Sequence, residues 1–153
     1  MKRLIIPALV MVFCAVQLHA GDMTVEAVLA KDKDSEPTDG FTPDVSQIYA
    51  FFKTKGSKKG DKLRAVWIAE DVGEAADPDT KIDEATLTAD NDDFFGAFSL
   101  SKPTNGWPLG EYRVDIYNGD EVATSVSFVI EEESNLADEP EESEASDENS
   151  PEP

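Results

Sequence analysis

Carboxylates gathered in loops are the first residues of this 153-residue chain whose type and spacing could do chemistry. Glu70, Asp71, Glu74, Asp77 and Asp79 share one stretch, and Asp90, Asn91, Asp92 and Asp93 form the next. Hard oxygen donors of this kind suit Ca²⁺, which takes roughly six to eight of them in flexible geometry. Asp71, Asp77, Asp79, Asp90 and Asp92 are therefore the weak candidate metal ligands; no cofactor is expected, with Ca²⁺ as the one alternative the residue types leave open. The spacing is not that of an EF-hand loop. Asp32-Lys33-Asp34-Ser35-Glu36 carries Pro37 where such a loop needs glycine, and Asp92-Asp93 runs straight into Phe94-Phe95. Solvated loops are the plainer reading in a chain with 33 acidic and 13 basic residues. Paired carboxylates also serve glycoside hydrolysis, but that chemistry needs an aromatic-lined cleft, which one small domain seldom makes. No phosphate-cradling loop or nucleophile elbow occurs either. The expectation is a protein that is not an enzyme.

The segment Lys53 to Lys62 breaks the acidic background with five lysines in ten residues. Lys55, Lys58 and Lys59 at its tip are candidate contacts for an anionic partner, such as an acidic protein, a polyanionic envelope component or the chain's own acidic end. The alternative is a solvated turn whose lysines discourage edge pairing. Nucleic acid is not expected, because the net charge repels phosphate over most of the surface.

Two hydrophobic placements complete the candidates. If Trp67 faces a core with Leu63 and Ala65, then Val66 and Ile68 face outward, and Tyr117 does the same on a neighbouring strand. Side by side, these three would make a bare apolar patch for a partner, unless the strand parity is reversed or the tail covers it. Trp107, in Asn105-Gly106-Trp107-Pro108-Leu109-Gly110, is either a stacking platform for a sugar or a plug at one end of the fold.

Compartment follows from the first twenty residues. Met1-Lys2-Arg3 is a basic start, Leu4 to Val16 is apolar apart from Pro7, and Ala20 closes the segment, which is the pattern of a secretory signal. The apolar run falls short of the roughly 20 residues that cross a bilayer. A lipoprotein reading through Cys14 is disfavoured by the bulky Phe13 before it. Cleavage after Ala20 would remove Lys2 and Arg3, moving the formal charge from −20 to −22, and would take away the single Cys and the single His. Without those two residue types, catalytic triads, Cys/His metal centres and disulfides are all excluded. The expectation is a periplasmic or extracellular protein with no membrane anchor after cleavage.

These residues must be positioned by a domain at 21–130, because 131–153 carries 11 acids, no base and no aromatic residue and is expected to be a disordered tail. Inside the domain the hydrophobic period is two. Tyr112, Val114 and Ile116 alternate with polar neighbours, and after Asn118-Gly119 so do Val122, Thr124, Val126, Phe128 and Ile130, which predicts a hairpin. Met23 to Ala30, Ile48 to Lys53, Leu63 to Glu70, Ile82 to Ala89 and Phe94 to Ser101 read as five further strands between turn residues. Seven short strands without a helical pattern predict an all-β fold, a seven-stranded antiparallel sandwich.

With Trp67 on the third strand and Gly110-Glu111-Tyr112-Arg113-Val114 opening the sixth like a tyrosine corner, the chain resembles immunoglobulin-like and fibronectin type III-like modules of secreted bacterial proteins. The resemblance covers about 23–130 and departs from antibody domains at Val114, where their second cysteine would stand. It implies an Ig-like β-sandwich and leaves function open. Two expectations follow: a module that binds a protein or cell-envelope component, or a Ca²⁺- or glycan-binding module that uses the acidic loops.

Overall fold

The computed structural model describes residues 23–133. The signal-like segment 1–20 and nearly all of the acidic tail lie outside the described residues. The described residues hold eight strands: β1 (Thr24–Ala30), β2 (Gly40–Phe41), β3 (Gln47–Lys55), β4 (Lys62–Asp71), β5 (Thr80–Thr88), β6 (Phe95–Ser101), β7 (Gly110–Asn118) and β8 (Glu121–Ile130). Seven coincide with the predicted strands to within a few residues. The eighth corrects the seven-stranded expectation: β2 is two residues long, too short to show any periodicity, and it pairs parallel to the end of β8. Among the described residues no helix is long and apolar enough to cross a membrane.

The strands form a three-stranded sheet, β1-β3-β6, and a five-stranded sheet, β2-β8-β7-β4-β5. Alternation decides which side chains lie between them. Leu63, Ala65, Trp67 and Ala69 of β4 and Tyr112, Val114 and Ile116 of β7 meet Leu29, Ile48, Ala50, Phe52, Phe98 and Leu100 of the smaller sheet in one core. Phe128 ties the aromatic part together, stacked on Tyr112 at 5.2 Å and edge-on to Trp67 at 6.1 Å. The indole N–H of Trp67 is buried there without an acceptor.

Two features organise one pole of the sandwich. Tyr112 is buried near the start of β7, and its hydroxyl donates to the carbonyl of Pro108 at 2.7 Å, closing the connection into β7 as a tyrosine corner. Trp107 lies buried beside it, edge-on at 6.0 Å, and donates from Nε1 to the carbonyl of Val45 at 2.8 Å. Trp107 is thus a plug with its polar atom satisfied, and it offers no face to a sugar.

The β7–β8 hairpin differs from its predicted register by one residue. Asn118 pairs with Glu121, so the turn centres on Gly119-Asp120, and only Gly119 takes a positive φ, +62°. This is the backbone requirement at the first central position of a type II′ turn. A bulge follows at Ala123, because Tyr117 pairs with Val122 and Ile116 with Thr124. The extra residue turns Val122 to solvent and packs Ala123 against the core.

Candidate functional site

The outer face of the five-stranded sheet, where Val66, Ile68 and Tyr117 were expected to lie bare, is occupied by charge. Val66 and Ile68 do stand on the outward parity of β4, yet they are only 6% and 8% exposed. Their neighbours across the ladders explain this: Val66 sits between Glu84 and Asp115, and Ile68 between Lys81 and Arg113. Arg113 bonds Glu70 and Asp79 from Nη1, both at 2.7 Å, and Asp115 from Nε at 3.1 Å, while Ser125 donates to Asp115 at 2.6 Å. These hydrogen bonds hold the guanidinium pKa above its ordinary value, the bond to Asp79 contributing most. Arg64 lies over the Tyr117 ring at 4.3 Å. The long stems of these side chains occlude the β-branched pair beneath them. Replacing Arg113 by Met should leave Glu70, Asp79 and Asp115 without their shared cation and cost about 2 kcal/mol, read as a lowered urea midpoint.

The calcium candidates are likewise separated. Asp79 is held by Arg113, Asp92 by Lys58, and Asp71 accepts the backbone N–H of Gly73 at 3.0 Å. Among the described residues no three acidic side chains converge in a group that could hold a metal ion. Asp71, Asp77, Asp79, Asp90 and Asp92 thus form no such group among the described residues.

The lysine turn and the loop at Asp90 to Asp93 turn out to be one feature. Lys58 pairs with Asp92 at 3.1 Å, the backbone N–H of Lys59 donates to Asp92, and that of Gly56 donates to Asp93. Beneath them Ser57 is buried, sharing a 2.6 Å hydrogen bond with Thr54 and accepting from the N–H of Phe94. The hydrogen bond to Lys58 leads the causes that lower the Asp92 pKa, and the same bond raises that of Lys58. The backbone of the turn is pinned to its own acidic loop, while the Lys55, Lys58 and Lys59 side chains remain exposed. Lys55 and Lys59 make no ion pair among the described residues.

The bare apolar surface lies on the opposite sheet. On β3, Gln47, Tyr49, Phe51, Lys53 and Lys55 point outward while Ile48, Ala50, Phe52 and Thr54 are buried. Phe51 stands between Val28 of β1 and Ala97 of β6, and Lys53 between Glu26 and Phe95. Phe95 is 76% exposed and Val28 46%. The Tyr49 and Phe51 rings stack at 5.6 Å, and the Tyr49 hydroxyl donates to Gln47 at 2.8 Å. Glu26 and Lys53 form a 2.7 Å ion pair at the rim, which lowers the carboxyl pKa and raises that of the ammonium. A shallow depression of about 340 Å³ runs between Val28, Phe51 and this pair. The signal for this face was present in the sequence: Ile48-Tyr49-Ala50-Phe51-Phe52 is apolar on both parities, so one of its faces had to be apolar on the outside.

No protein-family model matches this chain, and no curated protein matches it. Among solved structures it is similar to an immunoglobulin-like protein of Pseudomonas aeruginosa, with 13% identity and a TM-score of 0.44 over 72% of this chain and 93% of that one. It is also similar to part of an alkylpurine DNA glycosylase of Pseudomonas fluorescens, with 12% identity and a TM-score of 0.45 over 71% of this chain and 30% of the enzyme. A third likeness is to part of a β-glucosidase of Listeria innocua, with 9% identity and a TM-score of 0.45 over 71% of this chain and 16% of the enzyme. Likenesses this slight carry no activity across. What the strand order, the shared core and the corner tyrosine establish is a two-sheet, all-β sandwich.

Proposed function

We propose that this chain is a secreted, non-enzymatic immunoglobulin-like module that binds a protein or cell-envelope component through the outer face of its three-stranded sheet. One observation carries the reading. In a chain of net charge −20, Val28 and Phe95 are exposed and Tyr49 and Phe51 half-buried on one face, while the other sheet's outer face is roofed by paired charge. Exposed apolar surface framed by polar residues is the usual form of a protein-binding site, and aromatic residues contribute most of the affinity at such sites. The basic and apolar N-terminal segment supports export, and the tyrosine corner supports the Ig-like assignment. The calcium- and glycan-binding alternative has less support, since Trp107 is buried and no group of three acids that could hold a metal ion occurs among the described residues.

The test compares the protein with its Phe51→Glu variant, each immobilised and exposed to solubilised envelope extract. The native protein should retain a component at fixed stoichiometry, and the variant should lose on the order of 30-fold in affinity, the effect of removing one hot-spot aromatic. Equal retention by both would place binding away from this face. No retention at any salt concentration would remove the proposal. A thermal melt of the variant close to that of the native protein keeps unfolding out of the comparison.

A further inference from the structure

The geometry points to self-association: two copies of this chain pair antiparallel through β6, joining their three-stranded sheets into one six-stranded sheet. This does not depend on what the outer face binds.

The free edges of the two sheets are guarded unequally. β5 carries Lys81, Asp83 and Glu84, and charges on an edge discourage pairing. The edge of β1 gives its Leu29 carbonyl to the N–H of Thr38 and bears Glu26. The end of β8 is covered by β2 and by bonds from Val129 and Glu131 to the segment around Phe41. β6, Phe-Gly-Ala-Phe-Ser-Leu-Ser, has no charge and no proline, and among the described residues it is the only strand longer than two residues that lacks a charged side chain.

Its open hydrogen-bonding groups can be assigned. The N–H of Thr54 donates to Phe94 and that of Lys102 to Ser46, which sets the alternation of the β3–β6 ladder. Gly96, Phe98 and Leu100 therefore bond to β3. Phe95, Ala97, Ser99 and Ser101 direct N–H and C=O to the free edge, and no turn, loop or cross-element backbone bond reaches them among the described residues.

A second copy is the occupant this edge fits. Two strongly acidic chains repel each other, so contact is least opposed at a charge-free seam. A two-fold axis at Phe98 pairs Phe95 with Ser101 and Ala97 with Ser99 of the other copy, so the large exposed ring meets a small side chain. The same register brings Lys102 of each copy level with Phe94 and beside Asp93 of the other. Among the described residues of its own chain the Lys102 ammonium hydrogen-bonds only the Asp44 carbonyl, at 3.5 Å. The pairing is thus self-complementary in size and charge.

Sedimentation velocity over a concentration series tests this on the purified protein, together with hydrogen exchange of the β6 amides. The native protein should move from monomer to dimer as concentration rises. The amides of Phe95, Ala97, Ser99 and Ser101 should gain protection in step, while those of Gly96, Phe98 and Leu100 are protected throughout. Ala97→Lys with Ser99→Lys puts like charges opposite each other across the axis and should abolish the dimer. Ala97→Lys with Ser99→Glu puts opposite charges there and should keep it. A native protein that stays monomeric, a dimer indifferent to the double lysine variant, or protection that does not follow the odd-numbered amides would each overturn the proposal. A lysine–glutamate variant that dissociates like the double lysine one would overturn the register.

Discussion

Gly110→Ala is expected to lower the stability of the domain by about 3–5 kcal/mol, a large part of the margin that a domain of this size has. Gly110 opens β7 at φ +144°, and a β-carbon there would lie 2.1 Å from the Asp71 carbonyl oxygen and 2.9 Å from the Val72 α-carbon. Both obstacles are backbone, so no rotamer change relieves the overlap. Relief requires the end of β4 to separate from β7, two residues before the Tyr112 corner. Gly119→Ala is the control. Gly119 also has a positive φ, +62°, but a β-carbon there meets nothing within 4 Å. It should cost about 1 kcal/mol, the ordinary penalty for a left-handed residue. Urea and thermal denaturation of the two variants separate the steric term from the conformational one. Equal losses would mean that the approach of β4 to β7 relaxes freely.

The second large effect depends on pH. Burial raises the Tyr112 phenol from 10.0 to about 12. The folded protein therefore keeps this proton over a range in which the unfolded chain has lost it. The stability from this group is fully present below about pH 10 and is lost as pH rises towards 12, amounting to about 2–3 kcal/mol in all. Tyr112→Phe removes the 2.7 Å bond to Pro108, which costs about 1 kcal/mol at neutral pH, but it also removes the titration. The native protein should be the more stable at pH 7, and the order should reverse at about pH 11. Lysines and the other tyrosines are common to both proteins, so the difference between their stability curves isolates Tyr112. Curves that stay parallel across the alkaline range would mean that the hydroxyl is not held neutral by the fold.

Much of the architecture was legible in the residues. Period-two alternation located seven strands because the pleat makes facing a local property, and Tyr112 was legible because a corner tyrosine bonds only four residues back. β2 was not legible. It exists because Phe41 reaches β8, bonding Glu131 and packing edge-on against Phe128. The hairpin turn was misplaced by one residue because Asn118-Gly119 and Gly119-Asp120 both satisfy the local turn chemistry. Pairing of Asn118 with Glu121, and the bulge at Ala123, chose between them.

The candidate site divides along the same line. Sequence alone determined that Val66 and Ile68 share one parity of β4, opposite to Trp67, and that acids gather in loops, while 48–52, apolar on both parities, left open which of its faces turns outward. Only the tertiary structure decided which outward surface is bare. Exposure in a sheet depends on the strands to either side, and those neighbours are remote in sequence: Val66 received Asp115 and Glu84, whereas Phe51 received Val28 and Ala97. Long charged stems cover what lies beneath them, and short apolar side chains do not. The same remoteness brought Asp92 to Lys58 and Asp79 to Arg113, converting candidate ligands into ion-pair partners.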